Sequence, residues 1–213
     1  MTADGEQYGL AFFDRADPTP DHRFYDQPRL VTHIDDGAIA TVGELYAELG
    51  IGGRVLDLMS SWVSHLQTAP AELVVLGMNA DELAANPMAT ERIVHDLNAD
   101  PVLPFGDATF DAALCCVSID YLTRPVDVLT DVARVLRAGT LVVITFSNRC
   151  FPTKVVRGWL ANDEAARCAI VADYLRRTGA FHEADLSLRT PTRDVRGRPY
   201  FGDPLYAVVA RRH

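Results

Sequence analysis

The sequence of 213 residues predicts a doubly wound α/β fold, in which helices cover both faces of one mainly parallel sheet. Short β-branched and leucine-rich runs alternate with segments of helical periodicity between residues 54 and 178. The run FDAALCCV at residues 110–117 is apolar throughout, which is typical of a central parallel strand buried on both faces. Two further strands, at residues 181–188 and 205–210, are joined by a loop without a helix, which favours an antiparallel pair.

The N-terminal stretch differs in composition from the rest of the chain. Residues 1–28 are rich in Asp, Pro and Gly, and Pro18, Pro20 and Pro28 argue against long regular elements there. A chain of this length fits one domain with a small appendage. We therefore predict an N-terminal arm or lid at residues 1–33 and an α/β domain at residues 34–213.

The segment RVLDLMSSWVSHL at residues 54–66 is the centre of the prediction. Its first half, up to Leu58, is a β-branched and leucine run that indicates a short buried strand carrying Asp57. Serine is a favourable helix N-cap, and Trp62, Val63 and Leu66 follow at helical spacing. The segment therefore predicts a strand, a tight turn and a helix.

The other elements alternate along the chain and end at Pro or Gly. A helix is predicted at residues 34–49, where apolar residues share one face and acidic residues occupy the first turn. Further strands are predicted at residues 72–78, 92–96, 110–117 and 141–146, and further helices at residues 80–85, 125–137, 154–160 and 163–178.

Composition limits the partners. The formal net charge of −9 and the pI near 5.0 argue against nucleic acid or an anionic membrane as a partner. The four cysteines, Cys115, Cys116, Cys150 and Cys168, have neither metal-ligand spacing nor a disulfide pattern, so we expect no metal and reduced, packed thiols. With no signal peptide or membrane-length apolar run in the sequence, we expect a cytoplasmic protein.

Several motifs at predicted strand ends carry a family resemblance. Asp57 follows the first strand, Gly77-Met78-Asn79 ends the second, and His95-Asp96-Leu97 ends the third. Together with LPF at residues 103–105 and TFDAALCCVSIDYL at residues 109–122, this pattern resembles the class I S-adenosylmethionine-dependent methyltransferases, type 11 in particular. The resemblance covers residues 50–150 well and the C-terminal third more loosely. It implies a Rossmann-like seven-stranded sheet with an antiparallel last strand, and S-adenosyl-L-methionine as cofactor.

One departure from the family concerns its first motif, D-x-G-x-G-x-G. The three glycine positions hold Met59, Ser61 and Val63, a form that resembles a glycine-poor subgroup of these proteins. Glycine at such positions lets the backbone approach a ligand closely, so these substitutions bear directly on cofactor binding.

Ligands of open α/β sheets bind outside the carboxyl ends of the strands. The resemblance implies that the cofactor is bound there by three groups of residues. Asp96 and Leu97 would recognise adenine, and Asn79 would take the position of the residue that holds the ribose hydroxyls. The full predicted set is Asp57, Met59, Ser60, Ser61 and Trp62; Gly77, Met78, Asn79, Asp96, Leu97 and Asn98; and Val117 and Ser118 beneath the sulfonium.

Three of these residues have ordinary structural alternatives. Asn79 is equally suited to cap the following helix, Asp96 to cap a surface turn, and Trp62 to pack in the core. Both roles of Asn79 are compatible with each other, because its amide offers an acceptor and a donor.

The arm and two loops supply the candidates for chemistry. Arg29 is predicted to form a fork with the cofactor carboxylate, and His33 to donate a hydrogen bond or act as a base. A surface arm with a helix-capping Asp35 is the alternative. Asp120 is a candidate catalytic group, with a turn residue as the alternative. The predicted substrate residues are Tyr25, Tyr121 and Asn148, the last alternatively a strand terminator.

The leading function is therefore a small-molecule methyltransferase with an O-, N-, C- or S-acceptor. The alternative is a catalytically silent relative that keeps the fold as a binding or scaffold protein, which the missing glycines and the missing ribose acid favour. A nicotinamide oxidoreductase lacks support because no G-x-G-x-x-G follows the first strand, and a serine hydrolase because no G-x-S-x-G occurs.

Overall fold

A seven-stranded mixed sheet forms the centre of the protein, in a computed structural model that describes residues 8, 9, 11–194 and 196–213. The spatial order of the strands is β3-β2-β1-β4-β5-β7-β6, and β7 runs antiparallel to both neighbours. This confirms the predicted doubly wound, Rossmann-like sheet with an antiparallel last strand. The strands are β1 Arg54–Leu58, β2 Glu72–Gly77, β3 Glu91–Val94, β4 Phe110–Cys116, β5 Leu136–Phe146, β6 Asp185–Leu188 and β7 Tyr206–Arg211.

Helices pack on both faces of this sheet. The central strands β1, β2 and β4 are almost wholly buried, as their continuous apolar sequences predict. The helices are α1 Asp21–Phe24, α2 Asp36–Glu48, α3 Ala80–Ala85, α4 Pro125–Val135, α5 Arg157–Leu160 and α6 Glu164–Thr178, and Ile119–Tyr121 form a short 3₁₀ turn. Within the described residues, no helix is long and apolar enough to cross a membrane.

The predicted helix at residues 34–49 is confirmed as α2. The Asp35 side chain accepts a hydrogen bond from the Ala38 N–H at 3.0 Å and so caps its first turn. Its buried face carries Val42, Leu45 and Tyr46, which pack against one side of the sheet.

The helix predicted after β1 is wrong. Residues 59–71 contain no helix, because Met59 and His65 adopt left-handed backbone with φ of 53° and 52°. The Ser60 N–H donates to the Leu76 carbonyl at 2.8 Å, which fastens the turn to the end of β2. The Trp62 indole donates to the Val31 carbonyl at 3.1 Å instead of lying on a helix face. Contacts with other segments therefore override the local helical spacing.

Several boundaries also differ from the predicted ones. β5 begins at Leu136 rather than residue 141, because the chain leaves α4 directly into the strand. Of the helix predicted at residues 154–160, only Arg157–Leu160 is helical. β3 ends at Val94, two residues early, and β6 begins at Asp185, four residues late.

The described N-terminal residues pack closely against the α/β domain. Phe12 and Phe13 lie against the core, and a Cβ at Gly158 would fall 2.2 Å from the Phe12 ring, so only glycine fits there. The Lys154 side chain is fully buried, and its ammonium lies 3.1 Å from Asp17 and 3.3 Å from Asp21. The chain then crosses the carboxyl ends of the parallel strands.

Candidate functional site

The main cavity lies between the carboxyl ends of the parallel strands and the segment comprising residues 21–35, called here the covering segment. Its volume of about 600 Å³ is in the range of small-molecule sites. From the sheet edge, the lining includes Asp57, Leu58, Met59, Ser60, Ser61, Trp62, Val63, Ser64, His65, Gly77, Met78, Asn79, Glu82, His95, Asp96, Leu97, Asn98, Cys116, Val117, Ser118, Tyr121 and Leu122. From the covering segment and the later loops, it includes Asp21, Tyr25, Val31, Thr32, His33, Ile34, Asp35, Arg149, Cys150, Phe151 and Asp203.

The structure brings most of the predicted site residues together around this cavity. All of the predicted cofactor residues except Arg29 line it, as do His33, Tyr25 and Tyr121. Asp120 is buried outside the lining, and Asn148 is exposed outside it.

Asp57 lies near the carboxyl end of β1, and the following turn, Met59–Trp62, borders the cavity, as predicted. Burial raises the pKa of Asp57 to about 6, although hydrogen bonds from Ser60 and Ser64 oppose the shift. The Ser60 hydroxyl donates to Asp57 Oδ2 at 2.6 Å. At neutral pH the cavity therefore holds a carboxylate that protonates readily.

The turn after Asp57 crosses the end of β2. A Cβ at Gly77 would fall 2.2 Å from the Ser60 carbonyl oxygen, so the crossing requires glycine at that position. The Ser61 hydroxyl donates to Glu82 Oε2 at 2.6 Å. A close backbone contact that requires glycine is therefore present at the end of β2, whereas the glycine positions of the first motif hold other residues.

The Asn79 side chain has all its hydrogen-bonding capacity committed to the protein. Its Oδ1 accepts from the Asp81 and Glu82 N–H groups, each at 3.0 Å, which confirms the predicted helix cap. Its Nδ2 donates to the carbonyls of Tyr25 and Asp26 at 2.9 and 3.0 Å. Asn79 therefore fastens the covering segment to α3.

Asp96 and Leu97 offer an acceptor beside a donor. Asp96 Oδ1 accepts from the Asn98 and Ala99 N–H groups at 3.0 and 3.2 Å, which confirms its capping role. Its Oδ2 and the Leu97 N–H have no hydrogen-bond partner among the described residues. This pair matches the amino group and ring nitrogen of an adenine edge, so the residues present fit an adenosyl group at this end.

Four hydrogen bonds hold the middle of the covering segment, residues 25–31, at the cavity. Two are the Asn79 bonds described above, and a third joins the Trp62 indole to Val31. In the fourth, the Arg29 N–H donates to Glu82 Oε1 at 2.6 Å. The segment is therefore joined to both the turn after β1 and the first turns of α3.

The Arg29 guanidinium lies within an aromatic cluster. Its carbon is 4.5 Å from the centre of the Phe24 ring and 5.6 Å from that of Phe151. Nη2 donates to the Phe24 carbonyl at 2.8 Å, whereas Nη1 is buried without a partner among the described residues. Nη1 is thus an uncommitted donor, but Arg29 does not line the cavity, and its fork with the cofactor carboxylate stays a prediction.

Two histidines line the cavity in neutral form. Burial lowers the pKa of His33 below its usual value, although the Glu82 carboxylate opposes this shift. Burial and the nearby His33 lower the pKa of His65 to about 4. Nδ1 of His65 is buried without a partner among the described residues. Both rings are therefore proton acceptors at neutral pH.

Sequence reasoning missed Glu82, His65 and Asp203, whereas Arg149 was considered together with Asn148 as a residue that orients a substrate or simply terminates its strand. A signal existed for Glu82, which lies three residues after Asn79 and so on the same helix face. His65 was hidden by the wrong helix prediction, since its left-handed backbone turns it into the cavity wall. Asp203, joined to Arg149 by a 2.7 Å ion pair, comes from a loop 54 positions further along the chain and had no local signal.

Comparisons with known proteins agree with this geometry. Residues 49–144, a little under half of the chain, match a family model described as a methyltransferase domain. No curated protein matches the sequence.

Solved structures with a similar fold share little sequence. An S-adenosylmethionine-dependent methyltransferase from Mesorhizobium loti has a TM-score of 0.55 at 19% identity, covering 83% of this chain and 99% of that one. The [4+2]-cyclase SpnF has a TM-score of 0.57 at 16% identity, covering 90% and 91%. Phosphoethanolamine N-methyltransferase 2 from Haemonchus contortus, in complex with S-adenosyl-L-methionine, has a TM-score of 0.56 at 11% identity, covering 81% and 52%. At such identities the likeness concerns the fold.

Proposed function

We propose that this chain, which carries a methyltransferase domain at residues 49–144, is an S-adenosylmethionine-dependent methyltransferase that methylates a small molecule bound beneath the covering segment. The observation that carries the proposal is the open acceptor–donor pair of Asp96 and Leu97 on the wall of the main cavity. A cavity of about 600 Å³ accommodates a cofactor and a small acceptor rather than a macromolecular segment.

Residues at three places would hold the cofactor. Asp96 Oδ2 and the Leu97 N–H would take the adenine edge, and Asp57 and Ser118 lie at the ends of the two central strands. The free Nη1 of Arg29 would receive the cofactor carboxylate if that side chain turns from the aromatic cluster. When bound, S-adenosylmethionine supplies a methyl group that its sulfonium already activates.

The protein then has to align the acceptor and exclude water. The covering segment lies over one side of the cavity and contributes Tyr25 and His33 to its lining. Tyr121 and Phe151 line the cavity nearby, and their rings are 5.9 Å apart. This aromatic wall suits an acceptor with an apolar body.

Replacing Asp96 by alanine should weaken binding of S-adenosylhomocysteine by about 1–3 kcal/mol, because the adenine amino group would lose a buried acceptor. Isothermal titration calorimetry measures this directly. Asp100→Ala is the matched control, since Asp100 lies in the same turn, is exposed, and does not line the cavity. An unchanged affinity in Asp96→Ala would place adenine elsewhere.

We propose His33 as the general base for a methyl-accepting substrate that must lose a proton. We expect His33→Gln to lower kcat about 10²- to 10⁴-fold, with little change in S-adenosylhomocysteine affinity. The neutral imidazole is the active form, and burial holds the pKa of His33 below its usual 6.5. The wild-type rate should therefore rise with pH through this lowered pKa and level off above it.

The measurement is kcat against pH for an acceptor found in a small-molecule screen. If His33→Gln keeps both the rate and the rising limb of the profile, the base is a different group. His65→Gln is the natural comparison, because His65 also lines the cavity but has a pKa of about 4.

Binding without methyl transfer is a second candidate function. The full commitment of Asn79 to the protein favours it, since this residue has no free group for the ribose hydroxyls. Calorimetry with S-adenosylmethionine and S-adenosylhomocysteine separates the two functions. If neither ligand binds at millimolar concentration, the proposal of an enzyme is wrong and that of a scaffold protein takes its place.

A further inference from the structure

Glu82 is a buried carboxylate with no cationic partner in the part of the chain that the structure describes. Its relative exposure is 9%, and it lines the cavity from the first turn of α3. Its two oxygens accept one neutral donor each: the Arg29 N–H on Oε1 and the Ser61 hydroxyl on Oε2, both at 2.6 Å. No ion pair to Glu82 occurs among the described residues.

A carboxylate in this state can accept two further hydrogen bonds. Each oxygen has two lone-pair sites, and only one is used on each. Burying a charged group is costly unless hydrogen bonds satisfy it. A ligand with two adjacent hydroxyl donors would complete the set, because the spacing of a vicinal diol matches the two oxygens of one carboxylate.

The other carboxylates of the covering segment and the later loops are already occupied. Asp21 is held by Arg15 and by Asn98, at 2.7 and 2.8 Å. Asp35 accepts from the Ala38 and Asp203 N–H groups and from Tyr200. Asn79, the neighbour of Glu82 on α3, is saturated. Glu82 thus offers one spare site on each of its two oxygens, which is the pair that a vicinal diol requires.

We propose that Glu82 binds both ribose hydroxyls of the adenosyl ligand while it keeps the Arg29 N–H, so that one carboxylate joins the ligand to the covering segment. This assignment rests on the proposed function, since it takes the ribose from the cofactor. Ligand binding and closure of the covering segment are then coupled through a shared acceptor. The backbone amides around Arg29 are then protected from hydrogen exchange when a diol occupies the cavity.

The decisive experiment compares two ligands by calorimetry. The probes are S-adenosylhomocysteine and its 2′,3′-dideoxy analogue, titrated into wild type, Glu82→Gln and Asp81→Asn. Glutamine keeps the shape of Glu82 but replaces one acceptor oxygen by a donor and removes the charge. Asp81→Asn is the matched control, because Asp81 is an exposed acid in the same helical turn and outside the cavity lining.

Wild type and Asp81→Asn should bind S-adenosylhomocysteine about 10- to 100-fold more tightly than the dideoxy analogue. Glu82→Gln should lose this preference, binding the dideoxy analogue within about twofold of wild type. Equal weakening of both ligands in Glu82→Gln, or no preference in wild type, would overturn the assignment while leaving the proposed function intact. If wild type binds neither ligand, the proposed function fails and the assignment fails with it.

Hydrogen exchange on the wild-type protein provides a readout that needs no variant. S-adenosylhomocysteine should slow exchange of amides in residues 24–33, and the dideoxy analogue at equal saturation should slow it at least threefold less. The same protection by both ligands would show that closure does not depend on the diol, and would overturn the coupling.

Discussion

Replacing Asp120 by asparagine should stabilise the protein by about 3–4 kcal/mol at pH 7. The Asp120 side chain is buried at 3% exposure, and its Oδ2 has no hydrogen-bond partner among the described residues. Burial raises the pKa of Asp120 to about 8, a shift that its own N–H and the charge of Arg167 reduce only in part. The folded protein therefore keeps a proton on this group that the unfolded chain has released.

The sign of the effect follows from this difference in proton binding. The pKa of Asp120 is higher in the folded protein than its value near 3.8 in the unfolded chain. The free energy of unfolding is therefore highest below pH 4 and falls as the pH rises to about 8. Asparagine does not titrate, so the variant should be about as stable as wild type at pH 4. Its advantage in stability should then grow as the pH rises to 8. Denaturant unfolding at several pH values measures the difference.

Asp127→Asn is the control for this experiment, since Asp127 is a partly exposed acid in an ion pair with Arg124. It should change stability by less than about 1 kcal/mol at any of these pH values. A destabilised Asp120→Asn variant at pH 7 would show that Asp120 is ionised in the fold. Asp120 would then regain its standing as a candidate catalytic group.

Replacing Lys154 by methionine should destabilise the protein by about 3 kcal/mol. Lys154 is the only lysine in the sequence, and its side chain is fully buried. The ammonium donates to the Thr19 carbonyl at 2.7 Å and lies 3.3 Å from Asp21 Oδ1. Arg15 would still neutralise Asp21, which places the loss at the lower end of the range for breaking a buried ion pair.

Thermal unfolding detects this loss as a fall in Tm of about 2–4 °C per kcal/mol for a chain of this size. Arg176→Met serves as the control, because the Arg176 side chain is 69% exposed in its ion pair with Asp173. A Lys154→Met variant as stable as wild type would mean that methionine packing makes up for the lost charge. The N-terminal residues would then be held mainly by their aromatic contacts.

The sequence was sufficient to predict the order and class of the main elements. Continuous apolar runs located β1, β2 and β4, and caps located α2 and α4. The helix after β1 could not be excluded from sequence, because Ser60, Trp62 and His65 are drawn into contacts with distant segments. Such contacts outweigh propensities of a few tenths of a kcal/mol per residue.

The candidate site was predictable where it lies at strand ends. Asp57 and Gly77 lie at the carboxyl ends of β1 and β2, and Asp96 lies two residues beyond β3, so topology alone brings them to one edge. Glu82 was overlooked because its role depends on what Asn79 does, and the sequence does not show that Asn79 is saturated. Arg149 and Asp203 meet only through the folding of two loops.

The left-handed backbone at Met59 bears on how a sequence motif identifies this turn. Its φ of 53° is a conformation that glycine adopts freely, and Met59 occupies the first glycine position of the D-x-G-x-G-x-G motif. The conformation costs a side-chain-bearing residue about 1–2 kcal/mol, which packing of the Met59 side chain against the core offsets. The backbone of this turn therefore has the shape that glycine favours although the chain carries methionine there. A motif that requires glycine at this position does not detect a turn of this shape.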